Sequence, residues 1–205
     1  MKIITISGLD GSGKSTQAKM LQEYFEKQEK KVMYFHAIQF SFAQKLKEFR
    51  NKHCLICRFT KICKRKPKRK SVTTASCLQI QLRKIALIID IIRFNFYKKR
   101  LKKEGYKYII SDRYFYDSIV NISYLAKENI PSRLEKYIPS ADFAFYLKVK
   151  PELIMTRNRV PDQGIKYLHA KKHLYDMYKH IWNLDVIDGS KGMHAINKEI
   201  LLALN

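Results

Sequence analysis

The 205-residue sequence lacks a hydrophobic run long enough to cross a membrane and is poor in acidic residues. Its longest apolar stretch, 85–96, is interrupted by Asp90, Arg93 and Asn95 and falls short of the roughly 20 residues of a bilayer span. The N-terminal MKIITIS has no long apolar region such as a signal peptide carries. We therefore expect a cytoplasmic protein with no membrane partner.

Cysteine is scarce as well, with four residues at Cys54, Cys57, Cys63 and Cys77. Cys54 and Cys57 have the C-x-x-C spacing of zinc ligands, but no matching second pair follows. Without a leader, a chain of this kind favours reduced thiols over disulfides. Ordinary thiols are the favoured interpretation, with a zinc site as the alternative.

Basic residues greatly outnumber acidic ones. The chain has 41 Lys and Arg against 18 Asp and Glu, a formal net charge of +23, which indicates anionic partners. Residues 50–70 contain no acidic residue and form part of a predicted basic, cysteine-containing insertion at about 51–72. This segment is interpreted as a solvated loop; electrostatic binding of nucleic acid is the less favoured alternative.

Strand and helix patterns alternate along the chain. With 46% hydrophobic and 12% aromatic residues, the composition excludes wholesale disorder. The alternation predicts one α/β domain over 1–205, with a five-stranded parallel sheet and helices on both faces. A helix over 77–103 carries an apolar stripe at helical spacing. The stripe residues are Leu82, Ile85, Ile89, Ile92 and Phe96. Predicted strands are 2–7, 31–36, 107–111, 142–149 and 184–188.

A complete phosphate-loop motif, G-x-x-x-x-G-K-[ST], follows the first strand and opens a helix. Backbone N–H groups of such a loop point at phosphate oxygens, its lysine reaches the β- and γ-phosphates, and its serine hydroxyl is placed to ligate Mg²⁺. The sequence therefore predicts ATP binding. The predicted ATP-binding residues are Gly8, Leu9, Asp10, Gly11, Ser12, Gly13, Lys14, Ser15 and Thr16.

A second candidate anion site follows the third strand at Asp112, Arg113 and Tyr114. Ligands of open parallel sheets bind at the carboxyl ends of the strands. Asp112 there can hold a Mg²⁺ shell or orient the attacking group, and Arg113 can grip a phosphate with its planar fork. A plain structural ion pair is the alternative.

These motifs together resemble the thymidylate kinase family of nucleoside monophosphate kinases. The resemblance rests on GLDGSGKST, a long helix, SDRYFYDS, YLKVKPELIMTR and VIDGS in this order. It implies the phosphate-loop NTPase fold with a short helical lid at about 157–165. It also implies transfer of a phosphoryl group from ATP to a nucleoside monophosphate, most simply dTMP to dTDP, with Mg²⁺ as cofactor. A homodimer is one of the assemblies open to the chain.

The resemblance assigns roles residue by residue. It makes Lys14, Asp112, Arg113, Arg157 and Arg159 catalytic and gives Ser15 and Asp112 to the metal. Because the phosphate loop has no arginine of its own, the lid arginines must supply the extra positive charge. The implied acceptor-binding residues are Asp10, Phe40, Arg93, Arg113 and Tyr114.

The acceptor side departs from the family pattern. The family's Glu-Pro-Gly segment after the second strand is replaced by the residues from His36 to Phe40. Arg93 follows Asp90 by three residues on the same helix face, so it either reads a base edge or pairs with Asp90. A phosphate-loop kinase of another phosphorylated or hydroxyl acceptor, and a basic nucleic-acid-binding protein with this fold, are the alternative functions.

Overall fold

The computed structural model describes residues 1–42, 73–127, 133–157 and 160–204. The predicted basic insertion, three of the four cysteines and Arg159 are outside these ranges. The strands are β1 (Lys2–Gly8), β2 (Val32–His36), β3 (Tyr108–Asp112), β4 (Phe143–Lys148) and β5 (Asp185–Asp188). The helices are α1 (Lys14–Glu26), α2 (Ala37–Phe40), α3 (Cys77–Lys103), α4 (Phe115–Ala126), a 3₁₀ helix (Arg133–Tyr137), α5 (Pro151–Met155), α6 (Ile165–Tyr178) and α7 (Met193–Ala203).

The five strands form one parallel sheet in the order β2-β3-β1-β4-β5, as the alternating pattern predicts. Each predicted strand is present with ends shifted by a residue or two. Helix α2 follows β2 directly at Ala37, and the first described range ends two residues after it, at residue 42.

Helices cover both faces of the sheet. Since successive strand residues point to opposite faces, each strand contributes side chains to both layers of packing. Ile3 belongs to the apolar cluster formed with α3, α4 and α6, whereas its neighbour Ile4 belongs to the cluster formed with α1 and α7. Strands buried on both faces explain the nearly continuous apolar runs in the sequence.

The register of the strands brings three loops to one edge of the sheet. Asp112 at the end of β3 lies level with Ile6 of β1 and with His36 at the end of β2. Gly8 of β1 lies level with Leu147 of β4. The carboxyl ends of the strands thus place the phosphate loop between the β3–α4 connection and the β4–α5 connection.

Helix α3 has two apolar sides. It begins at a capping box in which the Ser76 side chain accepts from Gln79 N and the Gln79 side chain accepts from Ser76 N. Its buried side carries Leu87, Ile91 and Phe94. The predicted stripe lies on the opposite side, with Leu82, Ile85, Ile92 and Phe96 exposed and Ile89 half-buried. Helical spacing predicts an amphipathic helix but does not say which apolar side faces the core.

No helix in the described ranges combines the length and the apolar character needed to span a membrane.

Candidate active site

The phosphate loop turns sharply between β1 and α1, and two of its glycines are needed for that turn. Gly8 has a φ of 147°, and a Cβ there would stand 2.8 Å from the Leu147 carbonyl oxygen. Gly13 precedes α1 with a φ of 101°, in the left-handed region that side chains disfavour. The motif glycines therefore let the loop curve tightly against β4.

Lys14 is buried inside this curve. Its Nζ donates to the Leu9 carbonyl oxygen at 2.5 Å and lies 3.5 Å from Ser12 Oγ. Burial, reinforced by the charge of Arg113, lowers the pKa of Lys14 to about 8. A desolvated ammonium group at the N-terminus of a helix is suited to bind phosphate oxygens.

Arg113 reaches across from β3 to the phosphate loop. Its backbone has a φ of 67°, and Ser111 Oγ donates to its carbonyl oxygen at 2.7 Å. Its guanidinium donates to Asp10 Oδ1. Although burial alone would raise it, the charges of Lys171, Arg113 and Lys14 hold the pKa of Asp10 well below its usual range. One carboxylate thus joins the phosphate loop to the predicted acceptor side.

Asp112 is almost fully buried at the end of β3. Its Oδ2 accepts from Tyr34 OH at 2.8 Å and lies 3.9 Å from His36 Nε2. Its Oδ1 has no hydrogen-bond partner among the described residues. A buried carboxylate oxygen left unbonded beside a phosphate loop fits a Mg²⁺ shell, because Mg²⁺ prefers oxygen ligands.

Arg157 follows α5 and ties two loops together. Its guanidinium donates to the Gly11 carbonyl oxygen at 2.7 Å and to the Gly189 carbonyl oxygen at 2.9 Å. It therefore bridges the phosphate loop and the VIDGS segment at the end of β5. The structure brings this predicted lid arginine to the loop, while Arg159 falls in a gap between the described ranges.

The residues predicted to hold the acceptor have different surroundings. Arg93 donates to Asp90 Oδ1 at 2.9 Å and to the Phe40 carbonyl oxygen at 3.0 Å, and its guanidinium lies 4.5 Å from the Phe40 ring centroid. Arg93 therefore does pair with Asp90. The Tyr114 side chain is fully buried and donates to the Pro139 carbonyl oxygen, so the structure places it in the core rather than on the site surface.

Several buried polar residues of the site were missed by sequence reasoning. Asp117 Oδ2 accepts from Ser7 Oγ and its Oδ1 accepts from Tyr175 OH at 2.6 Å. Lys171 is fully buried with its Nζ 3.9 Å from Asp10 Oδ2, and Tyr167 OH lies 3.4 Å from the same oxygen. The signal available was the spacing of Tyr167, Lys171 and Tyr175, which places all three on one side of α6.

The residues described contain no cluster of three or more His, Cys, Asp or Glu side chains arranged to hold a metal. The predicted reduced thiol at Cys77 is a free, exposed cysteine. The zinc alternative depends on cysteines outside the described ranges.

The chain is similar to known proteins over almost its whole length. It is 25% identical to the thymidylate kinase of Plasmodium falciparum over 209 aligned residues, which cover 98% of this chain and 88% of that protein. The crystal structure of thymidylate kinase from Ehrlichia chaffeensis matches with a TM-score of 0.62 and 18% identity, covering 99% of this chain and 97% of that one. The chain is thymidylate-kinase-like.

Two further comparisons complete this picture. Thymidylate kinase from Candida albicans also matches with a TM-score of 0.62, at 17% identity, covering 99% of this chain and 90% of that one. A family model described as chromatin associated protein KTI12 matches residues 1–66. That shorter match includes the phosphate loop, whereas the thymidylate-kinase-like similarity extends through the later motifs.

Proposed function

We propose that this protein is a nucleoside monophosphate kinase that transfers the γ-phosphoryl group of ATP to dTMP. The observation that carries the proposal is the ion pair between Asp10 and Arg113. It brings a phosphate-loop residue together with the arginine after the neighbouring strand β3, which is the candidate to bind the acceptor phosphate. The full-length similarity to a thymidylate kinase supports the choice of acceptor.

On the donor side, residues 8–16 wrap the phosphates of ATP with backbone N–H groups. Lys14 binds the β- and γ-phosphate oxygens, and Arg157, with Arg159, neutralises the charge that develops on the transferred group. Arg157 lies against Gly11 and Gly189, which places its guanidinium beside the phosphate loop. The VIDGS segment flanks the adenine.

Mg²⁺ fits the oxygen donors of Ser15 and Asp112, whose Oδ1 is unbonded within the described structure. When bound, this ion supplies charge neutralisation for the phosphate oxygens. The Tyr34 hydroxyl donates to Asp112 Oδ2 and holds the carboxylate in place, which leaves Oδ1 available to the ion.

On the acceptor side, Arg113 grips the phosphate of the nucleoside monophosphate, and Asp10 lies beside it. Arg93 and Phe40 form one wall of the base site, with the arginine fixed by Asp90. Tyr114 supports this wall from the core, where its ring contacts Phe94. No strong base is needed, because the attacking phosphate is already anionic.

The exposed stripe of α3 forms a homodimer interface in this proposal. Leu78, which is also exposed, extends the stripe toward the start of the helix. From Leu78 on, the successive residues are alternately four and three positions apart. This spacing aligns them along one side of the helix, as the seam of two packed helices requires. A two-fold axis through the stripe would bury it against its own copy.

A coupled assay of ADP release over a panel of monophosphates, with and without Mg²⁺, tests the proposal. We expect Mg²⁺-dependent turnover with the highest kcat/KM for dTMP. Turnover with another phosphorylated or hydroxyl acceptor, and none with dTMP, would contradict the choice of acceptor. Salt-sensitive binding of RNA or DNA without any turnover would favour the alternative in which the basic segment 50–70 binds nucleic acid.

A further inference from the structure

Helix α6 buries a lysine on its apolar side. Residues Tyr167, Leu168, Leu174 and Tyr175 pack into the core, and Lys171 lies among them with its side chain 0% exposed. The ammonium group of Lys171 is therefore not solvated by bulk water as that of a surface lysine is. This ammonium group lies near the Asp10–Arg113 pair.

This ammonium group has no hydrogen-bond partner among the described residues. Its nearest carboxylate oxygen, Asp10 Oδ2, is 3.9 Å away, and the centroid of the Tyr167 ring is 5.1 Å away. Buried ammonium groups are costly unless they are paired and hydrogen-bonded. Lys171 therefore has three N–H donors that no other described group uses.

Of the cations around Asp10, the two that lie against its carboxylate oxygens differ in exposure. Arg113 is hydrogen-bonded to Oδ1 and is 19% exposed, whereas Lys171 faces Oδ2 and is 0% exposed. Of these two side chains, Arg113 is therefore the one that an incoming anion can reach. If Arg113 turned toward that anion with no replacement, the largely buried Asp10 carboxylate would lose its bonded counter-ion.

We propose that Lys171 replaces Arg113 as the counter-ion of the Asp10 carboxylate when Arg113 turns to the phosphate of the acceptor. This exchange of counter-ions, here called the handover, rests on the proposed function, since it needs an acceptor that carries a phosphate. It requires a shift of only about 1 Å to bring Nζ within hydrogen-bond distance of Oδ2. Lys171 is thus a positioning residue that acts through Asp10 and Arg113.

The test compares binding of dTMP and thymidine, which differ by the phosphate alone. The Lys171→Met variant keeps a similar side-chain length without the charge, and Lys172→Met is the matched control, because Lys172 pairs with Asp176 on the same helix. We expect Lys171→Met to weaken dTMP binding by about tenfold, with thymidine affinity changed less than about twofold. Lys171→Arg restores part of the dTMP affinity and Lys172→Met changes neither.

Two further readouts separate positioning from a structural role. We expect the melting temperature of Lys171→Met to be unchanged or higher, because an unpaired buried charge is removed. In an Arg113→Ala background, Lys171→Met should cause no further loss of the preference for dTMP over thymidine. Lys171→Gln provides the same comparison if the methionine variant does not fold.

An unchanged ratio of dTMP to thymidine affinity in Lys171→Met would overturn the handover, and so would equal losses for both ligands. An additive loss in the Arg113→Ala background would show that Lys171 acts without Arg113. Failure of the unmodified protein to bind dTMP has a different meaning, because it refutes the proposed function and the handover with it.

Discussion

Most of the donor half of the site comes from one contiguous segment, residues 8–16, which Arg157 and the VIDGS segment complete. The acceptor half is assembled from elements far apart in the sequence. Asp10 connects the two halves through Arg113, which lies 103 positions along the chain. The donor half is fixed by backbone geometry that any phosphate loop must adopt. The acceptor half depends on side-chain pairs, such as Arg93 with Asp90 and Lys171 with Asp10.

Removing the donor lysine should give the largest effect. We expect Lys14→Ala to abolish measurable phosphoryl transfer, because its ammonium group contacts the β- and γ-phosphates. The measurement is ADP release in the coupled assay, with thermal unfolding to show that the fold persists. Lys19→Ala, an exposed change on the same helix, is the control. Near-normal turnover in a folded Lys14→Ala variant would refute the assignment of the loop.

Removing the lid arginine should give the next largest loss. We expect Arg157→Ala to lower kcat about 10²–10³-fold with little change in either KM, because the contact strengthens in the transition state. Arg157→Lys should recover only part of the rate, since lysine lacks the planar fork. If Arg157→Ala, Arg159→Ala and the double variant all keep kcat within a few-fold, the missing charge comes from elsewhere.

The acceptor arginine should divide the two halves. We expect Arg113→Ala to raise the KM for dTMP about 10–100-fold, as expected for loss of a charge-assisted hydrogen bond, while ATP affinity stays unchanged. Steady-state kinetics in both substrates and direct titration with ATP measure this. Weaker ATP binding with normal acceptor kinetics would move Arg113 to the donor half.

Close packing on the donor side predicts a stability effect. A Cβ on Gly189 would lie 2.5 Å from Val149 Cγ2 and 3.0 Å from Leu147 Cγ. We expect Gly189→Ala to lower the free energy of unfolding by about 1–3 kcal/mol. Gly192→Ala is the matched control, because a Cβ there meets nothing within 4 Å. Equal stability of the two variants in denaturant titrations would contradict this packing.

The outer side of α3 predicts an assembly effect with a smaller influence on activity. We expect Ile85→Asp combined with Ile92→Asp to convert a dimer into a monomer, because both side chains are exposed on the apolar stripe. Light scattering after gel filtration measures the mass. Asn95→Asp, an exposed change to the side of the stripe, should leave the dimer intact. A monomeric parent protein would remove the dimer from the proposal.

The features that the sequence could predict are those set by local patterns, and those it could not are set by contacts between distant residues. The sheet and the phosphate loop were predictable, because each depends on local patterns that repeat in every protein of this architecture. The Asp117 network was not, because Asp117 meets Tyr175 from 58 positions away and only the folded chain brings them together. The position of Tyr114 shows the converse, since a motif residue beside the site turns its side chain into the core.

The burial of Lys171 was hidden for a different reason. Its neighbours Lys166, His169 and Lys172 are typical of a helix surface that faces water. The buried side of the helix becomes visible only when Tyr167 and Tyr175, each four residues from Lys171, are assigned to the core. The stripe of α3 was visible as a pattern. Its outward direction was not, because the true core side of that helix includes the charged Asp90.

Transfer of labelled γ-phosphate from ATP to dTMP tests the central claim most directly. The parent protein with Mg²⁺ should move the label into dTDP, and Lys14→Ala should leave it in ATP. Release of the label as inorganic phosphate, with none in dTDP, would contradict the account.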